Sequence, residues 1–192
     1  PYTRASIGAA FLIVAVTGLG LWMRRREQFR EEWNANRKFF VVIEVVFLSF
    51  FLIDLLIRLG NSDLWHVSKG GERPMDFSYF NAVLKSESFP PYDPWFAGGY
   101  INYYYYGFVL AGTPVKLLGI VPAIAYNFIL PTWFALAAVG AFAVGFAVVE
   151  QQKQNAEEES PSSFNLQLVS GLAASTMAVL LGNLGTVQLI FN

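Results

Sequence analysis

The run from Ala5 to Met23, ASIGAAFLIVAVTGLGLWM, contains no charged side chain. At about 19 residues it is long enough, as a helix, to cross a hydrocarbon core of roughly 30 Å. Arg24, Arg25 and Arg26 follow it immediately. A secretory signal carries its positive charge before the apolar run, so this run is read as a spanning helix. The short stretch that follows, through Arg30, Arg37 and Lys38, is basic and is expected on the cytoplasmic side.

Three more apolar runs repeat the pattern. Phe39 to Leu59 is interrupted by Glu44, Asp54 and Arg58. Asp54 and Arg58 are four apart and can pair on one helix face, as a structural pair or as a functional one. Glu44 lies near the cytoplasmic end, where its side chain can reach the interface. Pro122 to Val149 is alanine-rich over Ala135 to Ala147, and small side chains there permit close helix–helix approach. Leu166 to Leu184 is the last run. The fold class expected is all-α, a multi-pass transmembrane helical bundle of about four spans with a structured outer loop.

Composition supports this and closes other routes. Only 14% of residues are charged, against about a quarter in ordinary globular chains. A net charge of -1 excludes the broad basic footprint of a nucleic-acid binder. The absence of Cys removes disulfides and thiolate metal sites, and the single His66 excludes a two-histidine zinc site. Pro1 at the start and the apolar context at Asn192 suggest a piece of a longer membrane protein.

The chain divides at residue 38. Residues 1–38 form an N-terminal transmembrane helix and basic cytoplasmic linker, and residues 39–192 form a membrane domain. Within the latter, residues 60–102 make an outer loop. Asp76 to Glu87 reads as a short amphipathic helix, with Phe77, Phe80 and Leu84 at helical spacing, Pro74 ahead of it and Pro90-Pro91 behind. Pro94, Gly98 and Gly99 continue a turn-rich segment. Residues 103–120 open with four tyrosines and read as an interfacial or re-entrant juxtamembrane helix. If that helix does not cross, the polar linker from Glu150 to Ser163 is cytoplasmic and Asn183 returns to the outer side. If it crosses, both assignments reverse.

Asp76 at the start of a helix is either an N-cap, accepting backbone N–H bonds, or a general base or metal-binding carboxylate at the mouth of a cavity. Asp93 is the natural second carboxylate, although Asp-Pro also serves turns. Glu72 and Arg73 lie just upstream, and an arginine there could hold a phosphate bidentately. The tyrosine run is an interfacial belt or a platform for a sugar ring.

The segment GERPMDFSYFNAVLKSESFPPYDPWFAGGYINYYYYG closely resembles the signature of the archaeal and Chloroflexi membrane family named for its YYY motif, DUF2298. The matching pieces are Glu72 to Asp76, Asn81, Pro90 to Trp95, Ala97-Gly98-Gly99 and Tyr103 to Gly107, joined by Tyr126-Asn127 and Gly182-Asn183-Leu184. They span about residues 40 to 190. Family members are longer, so the resemblance implies that the remaining C-terminal part of the same protein is a partner of this one.

That family is in turn similar in layout to the membrane glycosyltransferases of the GT-C fold, which take sugars from polyprenyl-phosphate carriers. There the first long outer loop carries a catalytic acid followed by juxtamembrane helices. Asp76 matches that acid by position. The resemblance implies an integral plasma-membrane enzyme that transfers a polyprenyl-phosphate-linked sugar at the outer face, among membrane lipids. Asp76 would be catalytic. Arg73, Tyr79, Lys85, Asp93, Trp95, Tyr103, Tyr104, Tyr105 and Asn183 would bind substrate. Phe77 follows Asp76, so no acidic pair stands there. A divalent metal ion would have Asp76 and Asp93 as its candidate ligands. The rival reading is a non-catalytic transporter or lipid-binding scaffold with the loop as a lid. Charges gathered outside the spans, rather than near mid-membrane, favour the enzyme.

Overall fold

A computed structural model describes residues 1–60, 72–156 and 163–181, with the side chains of 152–156 and 163 excepted. Every regular element among them is helical: α1 (Arg4–Gly60), α2 (Arg73–Lys85), α3 (Tyr106–Leu118), α4 (Pro122–Ala156) and α5 (Ser163–Thr176), the last continuing into a π turn over Met177–Leu181. His66 and Asn183 lie outside the described residues, as does the part of the polar linker from 157 to 162.

Three helices are long and apolar enough to cross a membrane: α1, α4 over Pro122–Gln151, and Phe164–Leu181. The first two of the four expected apolar runs both fall within α1, which kinks at Arg25. The basic stretch between them, RRREQFREEWNANRK, holds neither glycine nor proline, and most of its residues are good helix formers. It therefore stays helical, and only Arg25 leaves helical geometry, at φ -120° and ψ 18°. The same reasoning carries α4 past Glu150 through the breaker-free EQQKQNA. Phe11, Leu12, Val14 and Val16 on α1 are exposed, an apolar surface suited to lipid.

The chain forms two compact units, Pro1–Asn36 with Arg58–Ile129, and Arg37–Ile57 with Leu130–Asn192. In the second unit, Val46 and Phe50 pack with Ala135, Ala138, Phe142 and Phe146. Small residues bring α4 and α5 together as the alanine-rich composition anticipates. A Cβ added at Gly145 would lie 2.7 Å from the Ala174 Cβ and 2.7 Å from the Ser170 carbonyl oxygen. Ser170 Oγ donates to the Gly145 carbonyl at 2.9 Å, and the buried Ser175 Oγ donates to the Ala138 carbonyl at 2.7 Å. Interhelical serine bonds of this kind contribute about 0.6 kcal/mol each on average.

The first unit holds the candidate site. Just ahead of α1, the Tyr2 N–H donates to the Glu87 carbonyl at 2.6 Å, and the Tyr2 ring lies 5.0 Å from Phe89. Lys116 of α3 sits 4.5 Å above the Tyr2 ring and donates to the Ser86 carbonyl at the end of α2 at 2.5 Å. In the last turn of α1, Arg58 reaches Asn127 and the Tyr126 ring of α4. Both ends of α1 are thus tied into the unit that contains α2. Helix α3 has 13 residues, a rise of about 20 Å, which is less than the thickness of a hydrocarbon core. It stops at Gly119, whose φ of 71° suits a left-handed helix cap.

Candidate functional site

Helix α2 begins at Arg73, three residues earlier than its hydrophobic spacing indicates, because Pro74 falls in its first turn, where its missing N–H costs nothing. Glu72 is the N-cap residue and makes no side-chain cap. Asp76 is therefore not the cap. Its N–H makes an intrahelical bond to the Glu72 carbonyl at 2.9 Å, and its carboxylate is left for other partners. Phe80 and Val83, 1% and 0% exposed, share its side of the helix, so Asp76 leans toward the packed interior and is itself partly buried.

That burial raises the Asp76 carboxyl above its ordinary value, and the negative charge of Glu72 raises it further. A side-chain hydrogen bond from Tyr104 works in the opposite direction, stabilising the ionised form. Tyr104 and Tyr79 interact electrostatically. The Tyr79 hydroxyl in turn donates to Asp93, and the phenol is raised by burial and by that carboxylate's charge. Asp76, Tyr104, Tyr79 and Asp93 are therefore linked in a chain of alternating acid and phenol.

Tyr104 has a φ of 29°, and it is the one non-glycine residue with positive φ among the described residues. Its neighbour Tyr103 meets it edge to face at 4.6 Å, while Tyr105 stacks on Phe89 at 5.9 Å. The tyrosine run is thus divided. Tyr104 turns to the acid, Tyr105 packs, and Tyr103 is 73% exposed.

On the other side of Asp76 stand residues whose roles the sequence pattern does not reveal. Tyr126 is buried, with its ring 5.3 Å from Phe77 and 6.1 Å from Phe80. Asp76, Arg58 and Arg73 all act electrostatically on it. Arg58 Nη2 donates to Asn127 Oδ1 at 2.9 Å rather than pairing with Asp54, and its buried Nε–H has no partner among the described residues. The i, i+4 rule points Arg58 at Asp54, whereas the actual partner lies 69 positions away. The one available signal is that Tyr126-Asn127 belongs to the matching motif pieces.

The remaining expected residues are spread around α2. Trp95 Nε1 donates to Ser78 Oγ at 2.6 Å, and the Trp95 N–H caps an Asp93 turn at 2.8 Å. Lys85 lies nine positions beyond Asp76, which is about two and a half helical turns. It leaves α2 on the opposite side and does not join the Asp76 group.

A metal does not fit these donors. Among the described residues no three His, Cys, Asp or Glu side chains come together. Asp93 is already engaged by the Trp95 N–H and Tyr79, and the acid whose charge acts on Asp76 is Glu72.

Long apolar helices, together with a packed acidic and aromatic segment lying outside them, define an all-α membrane protein. The chain belongs to the family described as uncharacterized membrane protein (DUF2298), whose model matches residues 1–192. No curated protein and no solved structure matches it.

Proposed function

We propose that the protein transfers a sugar from a polyprenyl-phosphate carrier to an acceptor hydroxyl at the outer face of the plasma membrane, with Asp76 as general base. The observation that carries this reading is the Asp76 carboxylate itself. It is partly buried, outside the long apolar helices, freed from helix capping, and raised in pKa by burial and by Glu72. A raised carboxyl is a stronger base when ionised, and pKa tuning of this kind is how carboxylates serve proton transfer near neutral pH.

The acceptor O–H proton passes to one Asp76 oxygen while Tyr104 holds the carboxylate. The acceptor oxygen forms a bond to the anomeric carbon as that carbon's bond to the phosphate oxygen breaks. The polyprenyl phosphate leaves with the electron pair. Its charge would be met by Arg73 and by the unpartnered Nε–H of Arg58, since guanidinium groups suit phosphate oxygens.

A lipid-binding scaffold is the second reading, and the exposed Trp95, Phe96, Tyr103 and Tyr106 support it as a surface suited to the membrane interface. The two are separated by native mass spectrometry and turnover assays on the full-length protein with polyprenyl-phosphate sugars. Asp76→Asn is expected to keep the lipid-linked sugar bound while losing roughly 10²–10⁴-fold in turnover, the usual contribution of a general base. Normal turnover in a well-expressed Asp76→Asn protein would remove Asp76 from the chemistry. Lipid retention with no turnover even in the wild type would favour the scaffold.

A further inference from the structure

The side of α2 turned away from Asp76 forms the floor of an open cleft of about 710 Å³. That volume falls within the range of roughly 300–1,000 Å³ usual for ligand sites. Asn81 and Lys85 line the floor, Tyr92 and Tyr100 form a wall, and Glu87 and Asp93 bring carboxylates to the rim.

The wall is fixed in place. Tyr92 and Tyr100 pair across an antiparallel bridge, with rings stacked at 4.7 Å and 22° and hydroxyls 3.4 Å apart. The Asp93 N–H donates to the Gly99 carbonyl at 3.0 Å, and the Ile101 N–H donates to the Pro91 carbonyl at 2.8 Å. Trp95 ties the loop down to Ser78 on α2. A wall held this way loses little freedom when a ligand binds, which favours affinity.

The polar groups are mixed, and some are unspent. Asn81 Nδ2 is taken by the Phe77 carbonyl, but its Oδ1 has no partner among the described residues. Neither Lys85 nor Glu87 is in an ion pair among the described residues. Two carboxylates against one ammonium disfavour a phosphate, and charged groups on the lining disfavour an acyl chain. A sugar ring fits both halves of the site. Its C–H face packs on a tyrosine ring, and its hydroxyls donate to Glu87 and accept from Lys85.

We propose that this cleft is a saccharide-binding site, separate from Asp76. The assignment goes beyond the transferase reading, because it rests on the cleft and holds whether or not Asp76 is catalytic.

The test is binding of the full-length protein in lipid nanodiscs to an array of immobilised glycans bearing hexose, N-acetylhexosamine and uronic acid termini. Wild type, Asp76→Asn, Lys85→Ala and Tyr100→Ala are compared. Lys85 and Tyr100 are exposed, so their variants are expected to fold, and equal melting temperatures check this. The expected result is glycan capture by wild type and Asp76→Asn, weakened at least tenfold in both Lys85→Ala and Tyr100→Ala. Absence of capture by the wild type overturns the proposal, and so does capture unchanged by the two cleft variants. Capture lost in Asp76→Asn but kept in Lys85→Ala would place the sugar at Asp76, overturning the cleft while leaving the transferase reading intact.

Discussion

Tyr104 hydrogen-bonds the Asp76 carboxylate from a backbone position, φ 29°, that a bulky L-residue seldom occupies. Holding such a residue there costs of order 1–3 kcal/mol, and strain of this kind gathers at functional sites when the surroundings enforce it. The surroundings here are the edge-to-face contact with Tyr103, the Phe108 ring 6.3 Å away, and the N-cap of α3 one residue later at Tyr105. What the strained residue delivers is a hydroxyl to an acid that burial has made more basic. Tyr104 acts through Asp76 and is a positioning residue.

Removing that hydroxyl should move the acid. The Tyr104 bond stabilises ionised Asp76, so Tyr104→Phe is expected to raise the Asp76 pKa further. In a turnover assay the acidic limb of the pH–rate profile should shift to higher pH, and an infrared titration of the carboxyl band should shift the same way. Tyr104→Gly should give the same pH shift together with a higher melting temperature, because glycine relieves the positive φ. Profiles that superimpose on wild type would show that the hydroxyl does not control the acid.

Asp76 also makes a stability prediction with a definite sign. Its folded pKa is raised above the ordinary 3.8, so the folded protein holds this proton more tightly than the unfolded chain does. The stability this supplies is complete below about pH 3.8 and is lost as pH rises through the raised folded value. At neutral pH the charged carboxylate is a net cost. Asp76→Asn should therefore raise the melting temperature at pH 7 and leave it almost unchanged near pH 3.5. An equal gain at both pH values would mean that ionisation is not the cause. A variant that loses turnover while gaining stability is the usual trade at an active site.

Legibility in the sequence depended on range. The long apolar runs could be read because an uncharged stretch of such length suits little besides a membrane span, and Ala135 to Ala147 announced the close α4–α5 packing. Charge density in residues 24–38 suggested a loop, when the absence of glycine and proline in that stretch was the better guide. The α2 boundary turned on whether Pro74 precedes a helix or opens one, and that choice decided whether Asp76 is a cap. Tertiary partners carry no local periodicity. Nothing within four residues of Arg58 signals Asn127, and the separation of Lys85 from Asp76 emerges only when the helix is counted around rather than along.

Two glycines of α4 should respond in opposite ways to the same substitution. At Gly145 an added methyl would meet the Ala174 Cβ and the Ser170 carbonyl at 2.7 Å, a fixed backbone that cannot yield cheaply. Gly145→Ala is expected to cost about 1–3 kcal/mol, the range for overpacking a filled interface. At Gly140 nothing lies within 4 Å, so Gly140→Ala should be neutral or gain up to about 1 kcal/mol through helix propensity. Steric-trap or thermal unfolding in bilayer mimics would measure both. Equal effects at the two sites would show that α4 and α5 do not meet at Gly145.

Gly98 tests whether the wall of the cleft is held by its turn. Its φ is 77° and a Cβ there would touch nothing within 4 Å, so the need for glycine is conformational rather than steric. Gly98→Ala should cost about 1–2 kcal/mol locally, the penalty for a side chain in left-handed geometry. The loss should fall on the loop, loosening the Asp93–Gly99 and Ile101–Pro91 backbone bonds that hold Tyr92 against Tyr100. Hydrogen exchange should therefore quicken at the Asp93 and Ile101 amides while the α2 amides keep their protection. Gly98→Asn should show a smaller effect, since asparagine tolerates this conformation better than alanine. If glycan capture weakens in step with exchange across the two variants, the stacked tyrosine wall is what the ligand reads. Faster exchange with undiminished capture would assign recognition to the α2 floor, at Asn81 and Lys85, and leave the wall as scaffolding.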